Sequence, residues 1–313
     1  MTWNIYIGAE LTPLLTATAP DQIPERVTEV FQQFLATNFP LRAKALARQI
    51  ALKAPDIIGL QEVAKWELIP PNSSKVVYNF LTILLRELRR KGMRYTVAAQ
   101  NRNLSAALPS SSGNLIRLTD RDVILVRKTR RFKVVRKQEA NFKTNVEIDV
   151  GGQTIPILRG WSAIDVKVRR GIFRLINTHL EPDSPEVQVA QANELLTGPA
   201  AAKRPVILLG DFNSNADGSG TATYGNLTSA GFQDAWTHVG KGNGFTCCQD
   251  ADLLNAVSHL NRRIDLILFK KRSNWKAVKA AVVGEAQRDR TRTRLWPSDH
   301  AGVTAKLKLR NCK

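Results

Sequence analysis

The sequence of 313 residues carries 46 lysines and arginines against 27 aspartates and glutamates, which gives a formal net charge of +19. Hydrophobic residues make up 43% of the chain and charged residues 23%, a composition that excludes intrinsic disorder. No apolar run approaches the roughly 18 residues that a membrane-spanning helix needs, and the N-terminus lacks the pattern of a signal peptide. We therefore expect either a cytoplasmic protein or the mature chain of a secreted one, and favour the secreted form.

Runs rich in Val, Ile and Leu, bounded by Gly, Pro, Asn or Asp, predict strands along the whole chain. These predicted strands are Thr2–Ile7, Asp56–Gln61, Arg94–Ala99, Val123–Val126, Ser162–Val168, Ile172–Asn177, Pro205–Gly210, Ile264–Phe269 and Gly302–Leu307. Helices are predicted over Leu41–Lys53 and Lys75–Lys91, and a third begins at Ser184-Pro185 and ends near Gly198.

The segment from residue 123 to residue 178 consists almost entirely of strands and turns, so its strands are expected to be antiparallel. Helices in the first and last parts of the chain must then cover the sheets. This order predicts an α/β fold in which two packed mixed, largely antiparallel sheets are flanked by helices. Because strands recur from end to end, we expect a single domain over residues 1–313.

The cysteines do not predict a disulfide framework. Cys247 and Cys248 are adjacent, and Cys312 lies one residue from the end. A bridge to Cys312 and free buried thiols both remain open. Without a second cysteine pair or a nearby pair of histidines, a zinc site is not expected.

The positive charge favours a polyanionic partner, either nucleic acid or an anionic membrane surface, although a generally basic surface is the alternative. One cluster places seven basic residues and no acid between Arg127 and Lys137. A second has arginine at every second position, namely Arg288, Arg290, Arg292 and Arg294.

An extended chain would place these four arginines on one side, about 6.6 Å apart, close to the spacing of phosphates along a nucleic-acid strand. We therefore predict that they bind substrate phosphates at the rim of an active site. The alternative is a solvated charged loop.

Several predicted strands end in polar side chains that a buried strand would not need. Those side chains belong to Glu62, His179, Asp211, Asn213, Asp265, Asp299 and His300. Each alone is explained by a turn or a cap, but strand ends are also where rigid scaffolds place catalytic groups. The whole set therefore indicates an active site.

The residue types suit hydrolysis of a phosphate ester. Hard oxygen ligands for Mg²⁺, Mn²⁺ or Ca²⁺ are available from Asn4, Glu62, Asp211, Asn213 and Asp299. His179 and His300 can move protons or stabilise a phosphate in reaction, and Asp265 can orient an imidazole.

Taken in order, the motifs resemble those of the endonuclease/exonuclease/phosphatase superfamily, whose prototype is pancreatic deoxyribonuclease. They are Asn4 in the first strand, Leu60-Gln61-Glu62-Val63, Asn177-Thr178-His179-Leu180, Gly210-Asp211-Phe212-Asn213, Arg263-Ile264-Asp265 and Ser298-Asp299-His300. The resemblance covers essentially the whole chain and implies a four-layer α/β/β/α sandwich.

The resemblance also implies roles for single residues. Metal binding is implied for Asn4, Glu62 and Asp299. Catalytic roles are implied for Asp211 and Asn213, which would position the attacking water, and for His179, Asp265 and His300. Asp120 would be the acidic partner of His179, with Asp122 as the alternative, and Arg159 would bind the substrate phosphate.

The implied function is a divalent-metal-dependent phosphodiesterase, with Mg²⁺, or Mn²⁺ or Ca²⁺, as cofactor. We predict a monomeric nuclease that cleaves DNA or RNA with little sequence specificity. The alternatives are a phosphatase or a sphingomyelinase-like phospholipid phosphodiesterase, and a catalytically silent nucleic-acid-binding protein. Residues 110–119 lack the tyrosine of deoxyribonucleases and abasic-site enzymes, which disfavours DNA repair, and no exposed aromatic hairpin for a bilayer is evident.

Overall fold

The computed structural model describes residues 1–17, 19–129, 131–150, 153–169, 171–270 and 275–309. Its strands are β1 (Thr2–Asn4), β2 (Ile57–Gln61), β3 (Lys65–Ile69), β4 (Val76–Asn79), β5 (Tyr95–Pro109), β6 (Leu115–Arg127), β7 (Lys133–Asn141), β8 (Val146–Val150), β9 (Gln153–Ile157), β10 (Gly160–Val168), β11 (Gly171–His179), β12 (Val206–Asp211), β13 (Phe232–Asp234), β14 (Asp265–Lys270), β15 (Trp275–Val283) and β16 (Gly302–Leu309). Its α-helices are α1 (Thr12–Leu15), α2 (Ile23–Ala36), α3 (Phe39–Lys53), α4 (Phe80–Arg90), α5 (Pro185–Thr197), α6 (Thr223–Ser229) and α7 (Ala235–Val239). Within these ranges, no helix has both the length and the apolar character needed to cross a membrane.

The described strands form two large sheets. In the first sheet the order is β15-β16-β1-β2-β6-β3-β4, with β5 also paired to β6, and in the second it is β13-β14-β12-β11-β10-β7. Strands β8 and β9 form a separate hairpin. The pairs β1–β2 and β11–β12 are parallel, and the other recorded pairs are antiparallel. The prediction of mixed, largely antiparallel sheets is confirmed.

Alternation along β12 shows which layer each face of the second sheet covers. Leu208 lies in a hydrophobic cluster with Leu195 of α5. Its neighbour Leu209 lies in a different cluster, together with Ile124 of the first sheet. Because successive side chains of a strand point to opposite faces, the second sheet packs on a helix with one face and on the first sheet with the other.

A third cluster covers the outer face of the first sheet. In it, Leu60 of β2 packs with Phe34, Leu46 and Leu84 from α2, α3 and α4. The layers therefore run helix, sheet, sheet, helix. This is the order that the sequence predicts, and it leaves the ends of both sheets free to carry polar groups.

Several elements in the N-terminal half of the chain differ from the prediction. Strands β5 and β6 are much longer than the predicted Arg94–Ala99 and Val123–Val126, and α2 was not predicted. The predicted helix over Lys75–Lys91 begins only at Phe80, because residues 76–79 form β4 and pair with β3. Asn79 accepts a hydrogen bond from the Thr82 amide and begins the helix. The predicted strand Thr2–Ile7 ends at Asn4, because Tyr6 has a φ of 57°.

The two sheets approach each other closely at Gly59 of β2. A Cβ atom there would overlap the side chains of Leu209 and Asn177 on the second sheet. Beside this contact the Gln61 amide donates to Asn177 Oδ1 at 2.6 Å, and Asn177 Nδ2 donates to the Leu60 carbonyl at 3.2 Å. This buried polar contact holds the two sheets in register directly beneath the strand ends.

Replacing Gly59 by alanine should lower the free energy of unfolding by about 1–3 kcal/mol, because the core is already filled at this point. The matched control is Gly225→Ala in α6, where a new Cβ meets nothing within 4 Å. That change should leave stability unchanged or raise it by up to about 1 kcal/mol. Urea denaturation measures both, and equal stability of the two variants would contradict the close approach of the sheets.

Candidate active site

Strand pairing brings the predicted site residues to one edge of the two sheets. Asn4 lies at the end of β1 in register with Gln61, so Glu62 follows immediately. His179 ends β11 in register with Asp211 at the end of the parallel strand β12. Asp265 begins the antiparallel strand β14 directly opposite Asp211. Five strands thus deliver polar groups to the same place.

The amide of Asn4 connects the two sheets. Its Nδ2 donates to Glu62 Oε1 at 2.8 Å on the first sheet and to Asp211 Oδ2 at 3.1 Å on the second. Its Oδ1 accepts from the Tyr6 amide at 3.0 Å, and the Ile7 amide donates to Glu62 Oε2 at 2.6 Å. In this arrangement Asn4 fixes the carboxylates, while its implied role as a metal ligand stays a prediction.

His300 forms a buried pair with Asp265. Its Nδ1 lies 2.8 Å from Asp265 Oδ2, and its Nε2 lies 3.8 Å from Asp211 Oδ2. Burial alone would lower the pKa of His300, but Asp265, Asp299 and Asp211 together raise it well above its usual value. The imidazole is therefore a cation at neutral pH.

The pKa of His179 is shifted in the opposite direction from that of His300. Its Nε2 lies 3.6 Å from Asp211 Oδ2, and its Nδ1 lies 3.1 Å from Arg159 Nη1. Burial, followed by the positive charges of Arg159 and His300, lowers the pKa of His179 well below its usual value. Arg159 Nη1 also lies 3.4 Å from His179 Nε2, so the guanidinium faces both ring nitrogens. The two histidines on either side of Asp211 thus differ in charge.

The β6 carboxylate that lies near His179 belongs to Asp122 and not to Asp120, the register that the sequence analysis preferred. Asp122 Oδ1 lies 4.0 Å from His179 Nδ1. Asn103 Nδ2 donates to Asp122 at 2.8 Å and to Asp120 at 3.2 Å, so both are buried on one face of β6. Asp120 acts instead on Glu62, whose pKa its charge helps to raise.

The buried carboxylates form a cluster that fits a hard cation. Burial, and then the charges of Asp299 and Asp120, raise the pKa of Glu62 to about 7. Burial also raises the pKa of Asp299 and of Asp120. Within the described part of the chain, Asp120 Oδ1 is buried and lacks a hydrogen-bond partner. A divalent cation would relieve the repulsion among these oxygens, so the donor set suits Mg²⁺, Mn²⁺ or Ca²⁺.

A second possible set consists of Asp211, Asp265 and His300, whose ligand atoms lie within 4.8 Å of one another. It fits a cation less well, because His300 is itself positively charged and its Nδ1 is bonded to Asp265. Metal binding by Glu62 and Asp299 stays a prediction, which this difference in charge favours.

One pocket opens on this cluster, and its lining includes Glu62, Asp120, Asp299 and Arg159. Arg159 reaches into the pocket from the segment before β10, and its Nε lies 3.9 Å from Glu181 Oε2. Glu181 was not identified from the sequence, although it follows the Thr-His-Leu motif directly. The position of Arg159 suits the implied contact with a substrate phosphate, which stays a prediction.

The row of four arginines does not have the expected geometry. Arg288 lies in a 3₁₀ turn over Gln287–Asp289, so the segment is not extended. Arg290 is buried, donates to the carbonyls of Leu254 and Ala256 at 3.1 and 3.2 Å, and packs over the ring of Trp296.

None of Arg288, Arg290, Arg292 and Arg294 lines the pocket in the described structure. The segment lies along α3 instead, where Arg48 donates to the carbonyl of Arg288. The expectation of an arginine row at the rim was wrong, because alternate residues share one side only in an extended chain.

Cys247 and Cys248 form a disulfide with each other, a pairing that the sequence analysis did not consider. Cys312 and Arg130, the latter in the basic cluster between residues 127 and 137, lie outside the described residues.

A scan against protein families matches residues 1–300 to the Endonuclease/Exonuclease/phosphatase family. The chain belongs to this family. The family consists of phosphate-ester hydrolases, so the resemblance and the coarse reaction class are both confirmed. No curated protein matches the sequence.

Solved structures share the fold at low sequence identity. An endonuclease/exonuclease/phosphatase family protein from Leptotrichia buccalis is 18% identical, with a TM-score of 0.59 and 98% of each chain covered. TDP2 from D. rerio, complexed with a single-strand DNA product, is 19% identical, with a TM-score of 0.58 and 98% of this chain and 97% of that chain covered. A mannosyl-6-phosphatase from Bacteroides thetaiotaomicron is 16% identical, with a TM-score of 0.58 and 98% of each chain covered.

The raised pKa of Glu62 predicts that metal affinity depends on pH. Below a pKa of about 7 the carboxyl carries a proton that a cation must displace, whereas above it the carboxylate is free to bind. The apparent affinity for Mn²⁺ should therefore fall about tenfold between pH 8 and pH 6.

Isothermal titration with Mn²⁺ at the two pH values measures this effect. Glu62→Gln should weaken binding and remove most of the pH dependence, whereas the exposed control Glu186→Gln should bind like the wild type. Equal affinity of Glu62→Gln and wild type at pH 8 would exclude Glu62 as a ligand.

Proposed function

We propose that this protein is a divalent-metal-dependent phosphodiesterase that cleaves nucleic acid with little sequence specificity. The observation that carries the proposal is the arrangement around Asp211. One of its oxygens faces His179 at 3.6 Å and His300 at 3.8 Å, and Arg159, which lines the pocket, lies 3.1 Å from His179 Nδ1. A proton acceptor, a neutral imidazole and two cations thus converge on one point.

Asp211 is the group best suited to accept a proton from the attacking water. Burial, and then the charge of Asp265, raise its pKa to about 6, so at neutral pH it is ionised and still a useful base. The Asn213 amide donates to Asp211 Oδ1 at 2.9 Å, which leaves Oδ2 directed at the histidines. Asn213 Nδ2 donates to the Leu180 carbonyl at 2.9 Å, which fixes this turn.

The two histidines would then act differently on the phosphate. His300 is a cation held by Asp265, so it can donate a proton or stabilise the negative charge that develops in the reaction. His179 is neutral, and its Nε2 faces Asp211 Oδ2 at 3.6 Å. Arg159 supplies the fixed positive charge on that side of the pocket.

Glu62 and Asp299, with Asp120 beside them, would hold the divalent cation. When bound, that cation would neutralise charge on the phosphate and orient it. Asn4 keeps Glu62 and Asp211 apart and aligned through its two hydrogen bonds.

A polar groove next to the pocket supports nucleic acid as the substrate. It has a volume of about 700 Å³, continues from the pocket through Asn103 and Leu104, and is lined by Arg102 and Arg121. These arginines can neutralise phosphates without reading the bases, so little sequence preference is expected. Together with the net charge of +19, the groove takes the place of the arginine row as the reason to prefer nucleic acid.

Removing the reacting groups should lower turnover strongly. His179→Ala, Asp211→Asn and His300→Ala should each lower kcat on single-stranded DNA with Mg²⁺ by at least about a hundredfold, because each removes acid–base or charge-stabilising help. The matched controls are His259→Ala and Asp217→Asn, two exposed residues outside the pocket, which should stay within about twofold of the wild type.

A nuclease assay with purified variants, together with circular dichroism to verify folding, measures the effect. Near-wild-type turnover in two of the three folded variants would contradict the assignment. Activity that persists in excess EDTA would contradict metal dependence.

A further inference from the structure

An apolar recess lies beside the catalytic pocket. Its walls come from the segment before α1, from α1 and α2, from β5 and β6, and from the β8–β9 hairpin, and its described lining is entirely hydrophobic. The lining includes Leu15, Leu104, Leu108, Ile148, Ile155 and Ile157. Trp66 also lines the recess, but its only side-chain donor is already bonded to the Ile7 carbonyl at 2.9 Å. The recess therefore offers nothing to a polar ligand.

The recess and the catalytic pocket are continuous. Five side chains line both, namely Leu11, Leu15, Leu104, Ile148 and Ile157. The same pocket contains Glu62, Asp299 and Arg159 on its polar side. A substituent on one ester oxygen of a phosphate bound beside Arg159 would therefore reach the recess.

The surroundings of the pocket differ between its two sides. The groove that carries Arg102 and Arg121 is polar, whereas the recess is apolar. Apolar side chains at the mouth, such as Leu15 at 41% exposure, remain in contact with water when the site is empty. Covering them with a hydrocarbon group of the substrate would be favourable, whereas covering them with a second polar strand would not.

We propose that the recess is a subsite for a short alkyl substituent on the substrate phosphate. The substrate class is then an asymmetric phosphodiester, with a polar nucleotidyl part along the groove and a small hydrocarbon ester group in the recess. This inference rests on the proposed phosphodiesterase function and names the second substituent of its substrate.

The size of the recess limits the length of that substituent. Its volume is about 70 Å³. A cavity of roughly 10–15 Å³ holds one water molecule, which is similar in size to a methylene group. The recess therefore takes a chain of about four or five carbon atoms.

The test uses a series of thymidine 5′-phosphate alkyl esters, from methyl to octyl, with product release followed by chromatography. In the wild type, kcat/KM should rise about threefold to fourfold for each methylene up to butyl or pentyl, and then level off. A phenyl ester distinguishes a flat aryl group from an alkyl chain, and we expect it to be a poorer substrate than the pentyl ester.

Two variants locate the effect. Leu15→Ser, at an exposed position at the end of α1, should flatten the dependence on chain length. Leu35→Ser, an equally exposed leucine on α2 that does not line the recess, should retain the wild-type dependence.

Hydrolysis of the methyl ester without any gain along the series would overturn the subsite but leave the phosphodiesterase intact. A gain that continues to octyl, or a preference for phenyl, would also contradict an alkyl subsite of this size. Absence of hydrolysis for every ester would overturn the proposed function itself, and the subsite with it.

Discussion

The two hydrogen bonds donated by the Asn4 amide are the interaction on which the site depends. They join Glu62 of the first sheet to Asp211 of the second, at the edge where the strand ends meet. Without a donor between them, two buried carboxylates from different sheets would repel each other. The contact of Gln61 with Asn177 just below holds the same edges together. The contacts that pack the two sheets together therefore also fix the geometry of the site.

Crowding of carboxylates at this edge raises the pKa of His300 and of Glu62. Three of them surround His300 and keep it positive despite its burial. His179, only 3.6 Å from Asp211, faces Arg159 and stays neutral. The same crowding raises the pKa of Glu62 to about 7, so that the metal-free site is poised to exchange a proton for a cation. The asymmetry of the histidines thus follows from their neighbours and not from their own burial, which is nearly equal.

The strand ends could be predicted from the sequence because each apolar run is followed directly by the polar residues of a motif. The sequence could not separate Asp120 from Asp122, since residues two apart in a strand face the same side. It predicted a helix from residue 75 because Val76 and Val77 fit helical spacing, whereas pairing with β3 makes them a strand. The prediction of an arginine row was wrong for a related reason. Alternate residues lie on one side of the chain only where the backbone is extended, whereas here Asp289 accepts a hydrogen bond from Gln49 and lies in a turn. Pockets formed by distant segments, such as the apolar recess, leave no local signal.

The most direct test of this account is the protonation of the two active-site histidines. Nitrogen-15 NMR of the metal-free protein at pH 7.5, with signals assigned through His179→Gln and His300→Gln variants, reports which ring nitrogens carry protons. The account predicts an imidazolium at His300 that becomes neutral in Asp265→Asn, and a neutral ring at His179. A neutral His300 in the wild type, or a charged His179, would contradict it.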